Sequence, residues 1–258
     1  MSRLTRLTEL RRALPLAAAA LFLLALTMPV WRITLTAPQY MEPLTVKLYA
    51  YPRLEGDITE IQALNSYVGF YYPDPVYVDP NYDVHENAVA VPEWVLGPVA
   101  FVALAASSVA VALLPSGKRL KRGLAGLFGG TLFVFVTMGA LIQYRLHQTG
   151  HSLDPAAPLS GVDGFTPPLA GSYEVANISG TAWFGPGGYL LVAAVGLLFV
   201  AFRFRGSEET LGDVPELARD RRERANARLR RWRGGEASGT TDQPDSDPVR
   251  STADGDRP

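Results

Sequence analysis

The sequence LAGLFGGTLFVFVTMGALIQY, residues 124–144, decides the class of protein to which this chain belongs. It contains no charged residue, and a helix needs roughly 20 apolar residues to cross the hydrocarbon core of a bilayer. Three further stretches have the same character, at 13–31, 94–114 and 184–204. Backbone groups in lipid must be hydrogen-bonded within their own segment, so the sequence predicts four transmembrane helices.

The composition narrows the chemistry that the chain can perform. The chain has 258 residues, 48% of them hydrophobic, and it contains no cysteine. Disulfides, thiolate metal ligands and thiol catalysis are therefore excluded. We expect an all-α transmembrane four-helix bundle, with a small mixed α/β extracytoplasmic cap formed by the two long loops 32–93 and 145–183.

Lysine and arginine lie mostly on one side of the predicted membrane. Residues 1–12 hold four of them, residues 115–123 hold four, and ten lie between Arg203 and Arg233, whereas the loops 32–93 and 145–183 hold three and one. Cytoplasmic segments carry this excess. The pattern predicts a multi-pass protein of the plasma membrane with both termini in the cytoplasm. No signal-peptidase site follows the first span, which we interpret as an uncleaved signal anchor.

The first outer loop has its own periodicity. Apolar residues alternate in 33–35 and again in 44–50, which predicts two short strands. Asp57 and Glu60 have the spacing of a capping box, and apolar residues at helical spacing follow, so we expect a helix at 57–68. The second outer loop, 145–183, is rich in glycine and proline and is expected to lack secondary structure of its own.

The segment after the fourth span is polar. It divides into a basic cytoplasmic helix at 205–235 and a disordered tail at 236–258. The basic helix could lie on anionic lipid headgroups or simply be solvated. Acidic residues are interleaved with its arginines, which argues against nucleic acid as a partner.

Several functional classes lack the residues that they need. The predicted spans hold no ionisable side chain at mid-membrane, as proton pumping and ion-coupled transport require. A buried bis-histidine haem would need histidine within the helices, and an ATPase would need a phosphate-binding loop. No nucleophile–base motif is present either. The sequence therefore predicts a protein that is not an enzyme.

The histidines all lie on the predicted outer side. They are His85, His147 and His151, and the last two are four residues apart at the outer end of the third span. Two imidazoles on one helical face can bind a late transition metal. Met28 and Met41 lie on the same predicted side, and thioether together with imidazole suits copper. Gly150 could end the helix before His151. Asp154 completes the set of candidate metal ligands, although chance proximity of loop histidines is an equally simple interpretation.

Four short motifs resemble those of a known family. They are W-R-I-T-L-T-A-P-Q-Y-x-E-P-L at 31–44, E-I-Q-A-L-N-S-Y-V-G-F at 60–70, G-H-S-L-D-P-A-A-P-L at 150–159 and F-T-P-P-L-A-G at 165–171. In this order they resemble a family of small prokaryotic four-span membrane proteins encoded beside nitrous-oxide reductase and its copper-maturation factors. The resemblance covers roughly residues 15–200.

The resemblance implies a context and also shows a departure. Family members are expected to carry potential copper ligands at two positions that are Ser66 and Phe70 here, so a copper site at that segment would not carry over. His151 does match the family motif. The resemblance implies an accessory or assembly protein that supports an extracytoplasmic copper enzyme, nitrous-oxide reductase, through docking or transient copper handling on its outer cap.

Partners and alternatives follow from this interpretation. The expected partners are the lipid bilayer and membrane or extracytoplasmic proteins of a copper-maturation pathway. Tyr40, Asn65 and Tyr67 are candidates for docking or for the architecture of the cap, and Asn177 begins a glycosylation sequon. The alternatives are a structural membrane scaffold without metal, a small-solute or metal permease, and an electron conduit from the quinone pool.

Overall fold

A computed structural model gives the architecture of the chain. It describes residues 9–71, 89–115, 117–159, 161, 164–207, 209–210, 212, 216, 219 and 226. The chain forms two compact units, Met1–Leu211 and Gly212–Pro258, and nearly all described residues belong to the first. His85, most of the predicted basic helix 205–235 and the whole predicted tail 236–258 lie outside the described residues.

The described residues form five α-helices and one 3-10 helix. In chain order these are α1 Leu10–Ala25, α2 Ile58–Val68, the 3-10 helix Pro92–Val95, α3 Leu96–Ala112, α4 Lys118–His151 and α5 Pro186–Arg203. Three segments are long and apolar enough to cross a membrane: Pro92–Ala112, Lys118–His151 and Pro186–Arg203. By length and composition, the chain is a membrane protein with three candidate spans among the residues that the structure describes.

The described strands form one five-stranded antiparallel sheet. They are β1 Trp31–Thr36, β2 Leu44–Leu48, β3 Leu54–Gly56, β4 Gly171–Val175 and β5 Ile178–Phe184, in the order β3-β2-β1-β5-β4. In the centre of the sheet, Ile33 of β1 lies opposite Val46 of β2 on one side and Ala182 of β5 on the other. The two halves of the sheet therefore come from distant parts of the chain.

The predicted fold class is wrong. The structure is not an all-α four-helix bundle, because five strands accompany the helices. The expectation that the second outer loop lacks secondary structure is also wrong, since β4 and β5 lie within or at the end of it. Residues Ile178, Gly180 and Ala182 alternate inward along β5, and strand β1 pairs with β5 over its whole length.

Helix α2 covers one face of this sheet. Its apolar residues Ile61, Leu64 and Val68 are buried in the same core as Leu35 and Val46 of the sheet. The strands predicted from the first loop and the helix predicted at 57–68 are thus confirmed. The capping box is not, because the carboxylate of Asp57 makes no cap and instead accepts a hydrogen bond from the Thr45 amide at 2.8 Å.

The sheet is joined to the helices through closely packed glycines. Gly185 alone separates β5 from α5, and its amide donates to the carbonyl of Val30 at 2.9 Å. The amide of Gly187 donates to the carbonyl of Pro29, also at 2.9 Å. A Cβ atom on Gly185 would lie 2.4 Å from the Pro29 oxygen, so a side chain has no room there. Helix α1 ends at Ala25, short of the predicted boundary at residue 31.

Candidate functional site

The predicted histidine pair lies at the C-terminal end of α4. The helix continues through Gly150 and ends at His151, so His147 and His151 are one helical turn apart on one face. Gly150 is needed for a close approach rather than as a helix end. A Cβ atom there would lie 1.9 Å from the carbonyl oxygen of Phe165, whose amide donates to the Gly150 carbonyl at 3.1 Å.

The two imidazole rings lie directly against each other. Their centroids are 4.1 Å apart with 41° between the ring planes, and both residues are exposed. Nδ1 of His151 is 2.8 Å from the carbonyl oxygen of His147. A carbonyl can only accept, so Nδ1 carries the proton of the neutral ring and Nε2 keeps its lone pair. That tautomer is the one that binds a metal through Nε2.

Residues of the 164–168 segment position both rings. Nδ1 of His147 is 2.8 Å from Oγ1 of Thr166, a contact that fixes the orientation of the ring. A Cβ atom on Gly164 would lie 2.6 Å from Cδ2 of His151, so glycine leaves the space that this ring occupies. Within the described residues, neither Nε2 atom has a hydrogen-bond partner. In metal sites, too, the second ring nitrogen of a ligand histidine is held by another group.

Asp154 is not directed at the histidine pair by its hydrogen bonds. Its Oδ2 atom accepts from the Tyr71 hydroxyl at 2.6 Å, and its Oδ1 atom accepts from the Ala156 amide at 2.8 Å. Its own amide donates to the carbonyl of Gly69 at 2.9 Å, which connects the two loops of the cap. Among the residues that the structure describes, no group of three or more His, Asp or Glu side chains is placed to hold a metal.

The candidate docking residues differ in their exposure. Tyr40 is half-buried and packs against the cap core, whereas Tyr67 is 42% exposed on α2. Asn65, on the same helix as Tyr67, is half-buried and lines a cavity. Asn177 is exposed in the two-residue turn between β4 and β5. A role of Tyr40, Asn65 and Tyr67 in docking stays a prediction.

A cavity of about 60 Å³ lies between α2 and the sheet. Its walls are apolar apart from Asn65 and Tyr173, and it is large enough for a few water molecules. Burial raises the pKa of Tyr173 to about 12. The ring of Phe165 is stacked on Tyr173 with centroids 6.1 Å apart. Because Thr166 follows Phe165, the segment that positions His147 also forms a wall of this cavity.

The sequence reasoning missed the residues that position the histidines. Thr166 is 19 residues from His147, and no local pattern relates the two. Gly164 and Thr166 lie in a glycine- and proline-rich stretch that shows no periodicity. The motif F-T-P-P-L-A-G, at 165–171, was the signal that could have found Thr166, whereas Gly164 precedes it.

Comparison with protein-family models, curated proteins and solved structures finds no match for this chain. Nothing in these comparisons connects the chain with nitrous-oxide reductase. The resemblance noted in the sequence therefore stays a prediction.

Proposed function

We propose that the chain is a non-enzymatic, membrane-embedded accessory protein that handles copper transiently on its cap, in support of an extracytoplasmic copper enzyme such as nitrous-oxide reductase. The observation that carries the proposal is the pair His147 and His151, with ring centroids 4.1 Å apart at the exposed end of α4. A backbone carbonyl fixes the metal-binding tautomer of His151, and Thr166 orients His147.

The chemistry of the pair favours a metal that is passed on rather than retained. Imidazole suits late transition metals, and copper(II) binds nitrogen ligands most tightly among the common divalent ions. Two protein ligands leave coordination positions open, whereas structural metal sites are closed by four. A partner protein can supply the remaining ligands and take the metal. Copper would only exchange its ligands here. The residues of this chain would hold the ion and release it.

The permease alternative receives no support from the polar residues of the helices. The hydroxyl of Ser108 donates to the carbonyl of Leu104 at 2.7 Å, and that of Thr131 donates to the carbonyl of Leu127 at 2.7 Å. Both side chains are buried, and both bind their own helix. Hydroxyls used in this way offer no continuous polar path for a solute.

The test is copper binding by the purified full-length chain in detergent, measured by equilibrium titration so that a readily exchanged ion is still counted per chain. We expect about one copper per wild-type chain and its loss in the variant His147→Ala/His151→Ala, because both ligands are removed. The matched control is Asp154→Asn. The Asp154 carboxylate is occupied by Tyr71 and Ala156, so this variant is expected to retain copper.

Two results would contradict the proposal. Copper that remains bound in the double variant would place the metal elsewhere. Absence of copper from the wild-type chain would exclude direct metal handling and leave a docking scaffold as the interpretation, to be pursued by co-purification with a copper enzyme.

We also propose that both termini are cytoplasmic and that the cap is extracytoplasmic, because Lys and Arg concentrate in 1–12, in 115–123 and after residue 203. This topology needs four crossings, so it requires the 16-residue helix α1 to cross the membrane together with the three candidate spans. The chain contains no cysteine, so single-cysteine variants report accessibility without background. A membrane-impermeant maleimide added to intact cells is expected to label Ser152→Cys and to leave Arg122→Cys unlabelled until the cells are lysed. Labelling in the reverse order would invert the topology.

A further inference from the structure

Four cations surround the first turn of helix α4. Lys118, Arg119, Lys121 and Arg122 are all exposed. Among the described residues, none of the four forms a salt bridge with a carboxylate, whereas Arg11, Arg12, Arg53 and Arg145 all do. The basic turn, as we call residues 118–122, is therefore a concentrated positive charge without a compensating anion in the described part of the chain.

The position of the basic turn conflicts with the electrostatics of a helix. The N-terminus of a helix carries a partial positive charge, so cations there are unfavourable and anions are stabilising. Helix α4 has no acidic residue in its first turn. Its N-cap residue is Gly117, which has no side chain that could cap the helix amides. The first amides of a helix lack partners within the helix and add donors for an anion.

The packing of the turn holds these cations outward. Leu120 is fully buried and Leu124 nearly so, in a cluster with Ala201 of α5. A Cβ atom on Gly123 would lie 2.8 Å from Leu114, so the helix also lies close to the end of α3. One face of the turn is thus fixed against the bundle, and the charged face is presented in a defined geometry rather than on a free loop.

The basic turn lies at the end of a candidate membrane span. The uncharged run 124–144 begins two residues after Arg122. At 1.5 Å per residue, the cations lie within about 10 Å of the start of that run, which is the depth of the lipid headgroups. Arg12, by contrast, is buried and donates to the carbonyl of Ala112 at 2.5 Å, so it serves the end of α3.

We infer that the basic turn is a binding site for the phosphate groups of anionic phospholipids. The four exposed cations match the charge of a phosphate, and their depth selects the headgroup of a membrane lipid as its source. Basic clusters beside a membrane span attract anionic lipid near the surface. The site is independent of the histidine pair and of any role in copper handling.

The test is lipid selectivity of the full-length chain in phosphatidylcholine vesicles, with trace spin-labelled phosphatidylglycerol or phosphatidylcholine as the probe. We expect the wild-type chain to immobilise the anionic probe about threefold to tenfold more strongly than the neutral one at low salt, a preference that weakens as salt increases. In the variant Lys118→Gln/Arg119→Gln/Lys121→Gln/Arg122→Gln, the two probes are expected to be immobilised almost equally.

Two matched variants separate the site from general charge. Lys118→Arg/Lys121→Arg keeps the charges and is expected to keep the preference. Arg32→Gln/Lys47→Gln removes two exposed cations from the sheet and is expected to keep it as well. The inference is overturned if the quadruple variant retains the wild-type preference, or if the sheet variant loses as much as the quadruple variant does.

Inorganic phosphate distinguishes the two sources of the ligand chemistry. It is added at constant ionic strength, so that only specific competition changes the result. A preference that persists supports a lipid headgroup as the ligand. A preference that millimolar phosphate abolishes would assign the basic turn to a soluble phosphate and overturn the inference.

Discussion

Replacing Gly150 with alanine is expected to displace the segment that positions the histidine pair. Gly150 lies between His147 and His151 on α4, and the backbone of Phe165 passes directly over it. The Phe165 amide donates to the Gly150 carbonyl at 3.1 Å, and Thr166, the next residue, contacts His147 at 2.8 Å. A methyl group at this position therefore acts on the fold and on the candidate site at once.

The size of the effect follows from the overlap. The added Cβ would lie 1.9 Å from the Phe165 oxygen, and ordinary contact begins at 3.4 Å, so the segment must move by about 1.5 Å, the difference between the two. Such overpacking costs about 1–3 kcal/mol, and the lost hydrogen bond costs about 1 kcal/mol more. The better helix propensity of alanine stabilises the folded state by about 1 kcal/mol. We expect a net destabilisation of about 1–3 kcal/mol.

The assay is reversible denaturation of the purified chain in detergent, with copper binding measured on the same samples. The matched control is Gly126→Ala on the same helix, where no heavy atom lies within 4 Å of the added Cβ. That variant is expected to be as stable as the wild type or more stable, and to bind copper normally. If Gly150→Ala is at least as stable as the wild type and binds copper equally, the close approach does not position the site.

Three further predictions concern the hairpin of β4 and β5. Burial raises the pKa of Tyr173 to about 12, above the value near 10 of the unfolded chain. The unfolded state therefore loses this proton first, and the free energy of unfolding falls as the pH rises from about 10 to about 12. Absorbance at 295 nm is expected to show a late-titrating tyrosine component that is lost in Tyr173→Phe. Ala176 has φ +53°, in the left-handed region, so Ala176→Gly is expected to raise the free energy of unfolding by about 0.5–1 kcal/mol in denaturant melts. A Cβ on Gly180 would lie 2.3 Å from the Tyr173 ring. Gly180→Ala is therefore expected to destabilise the fold by about 1–3 kcal/mol and to lower the pKa of Tyr173 in the same titration. An unchanged titration would contradict the packing of Gly180 against Tyr173.

The predictable part of the fold was the part with strong local periodicity. Strands β1 and β2 alternate branched or long apolar residues such as Ile33, Leu35 and Val46 with polar ones, and helix α2 repeats its apolar residues at helical spacing. Strand β5 alternates too, but Gly180 and Ala182 are among its inward residues, and small residues do not register as hydrophobic. Its pairing with β1 joins residues about 150 positions apart, which no local pattern can reveal.

The candidate site also has one part that the sequence predicted and one part that it did not. The spacing of His147 and His151 on one helical face was predictable because it depends only on α4. That the helix continues past Gly150 was not, since glycine is the usual signal for a helix end and its use here depends on the backbone of Phe165. The roles of Thr166 and Gly164 arise from tertiary contact alone. Local sequence therefore predicts the candidate ligands, and the fold supplies the residues that orient them.

If α4 crosses the membrane, its length would place the two candidate sites at opposite membrane surfaces. Its 34 residues extend about 50 Å, whereas the hydrocarbon core is about 30 Å thick. With the uncharged run 124–144 in that core, His147 and His151 lie about 5–10 Å beyond one surface. Trp183 and Tyr189 flank the start of α5, are about half exposed and are hydrogen-bonded to each other, as is typical of residues at headgroup level.

This depth restricts how copper could be exchanged. A histidine pair within about 10 Å of the lipid is accessible only to a partner that itself lies on the membrane surface, or that docks on the cap beside α4.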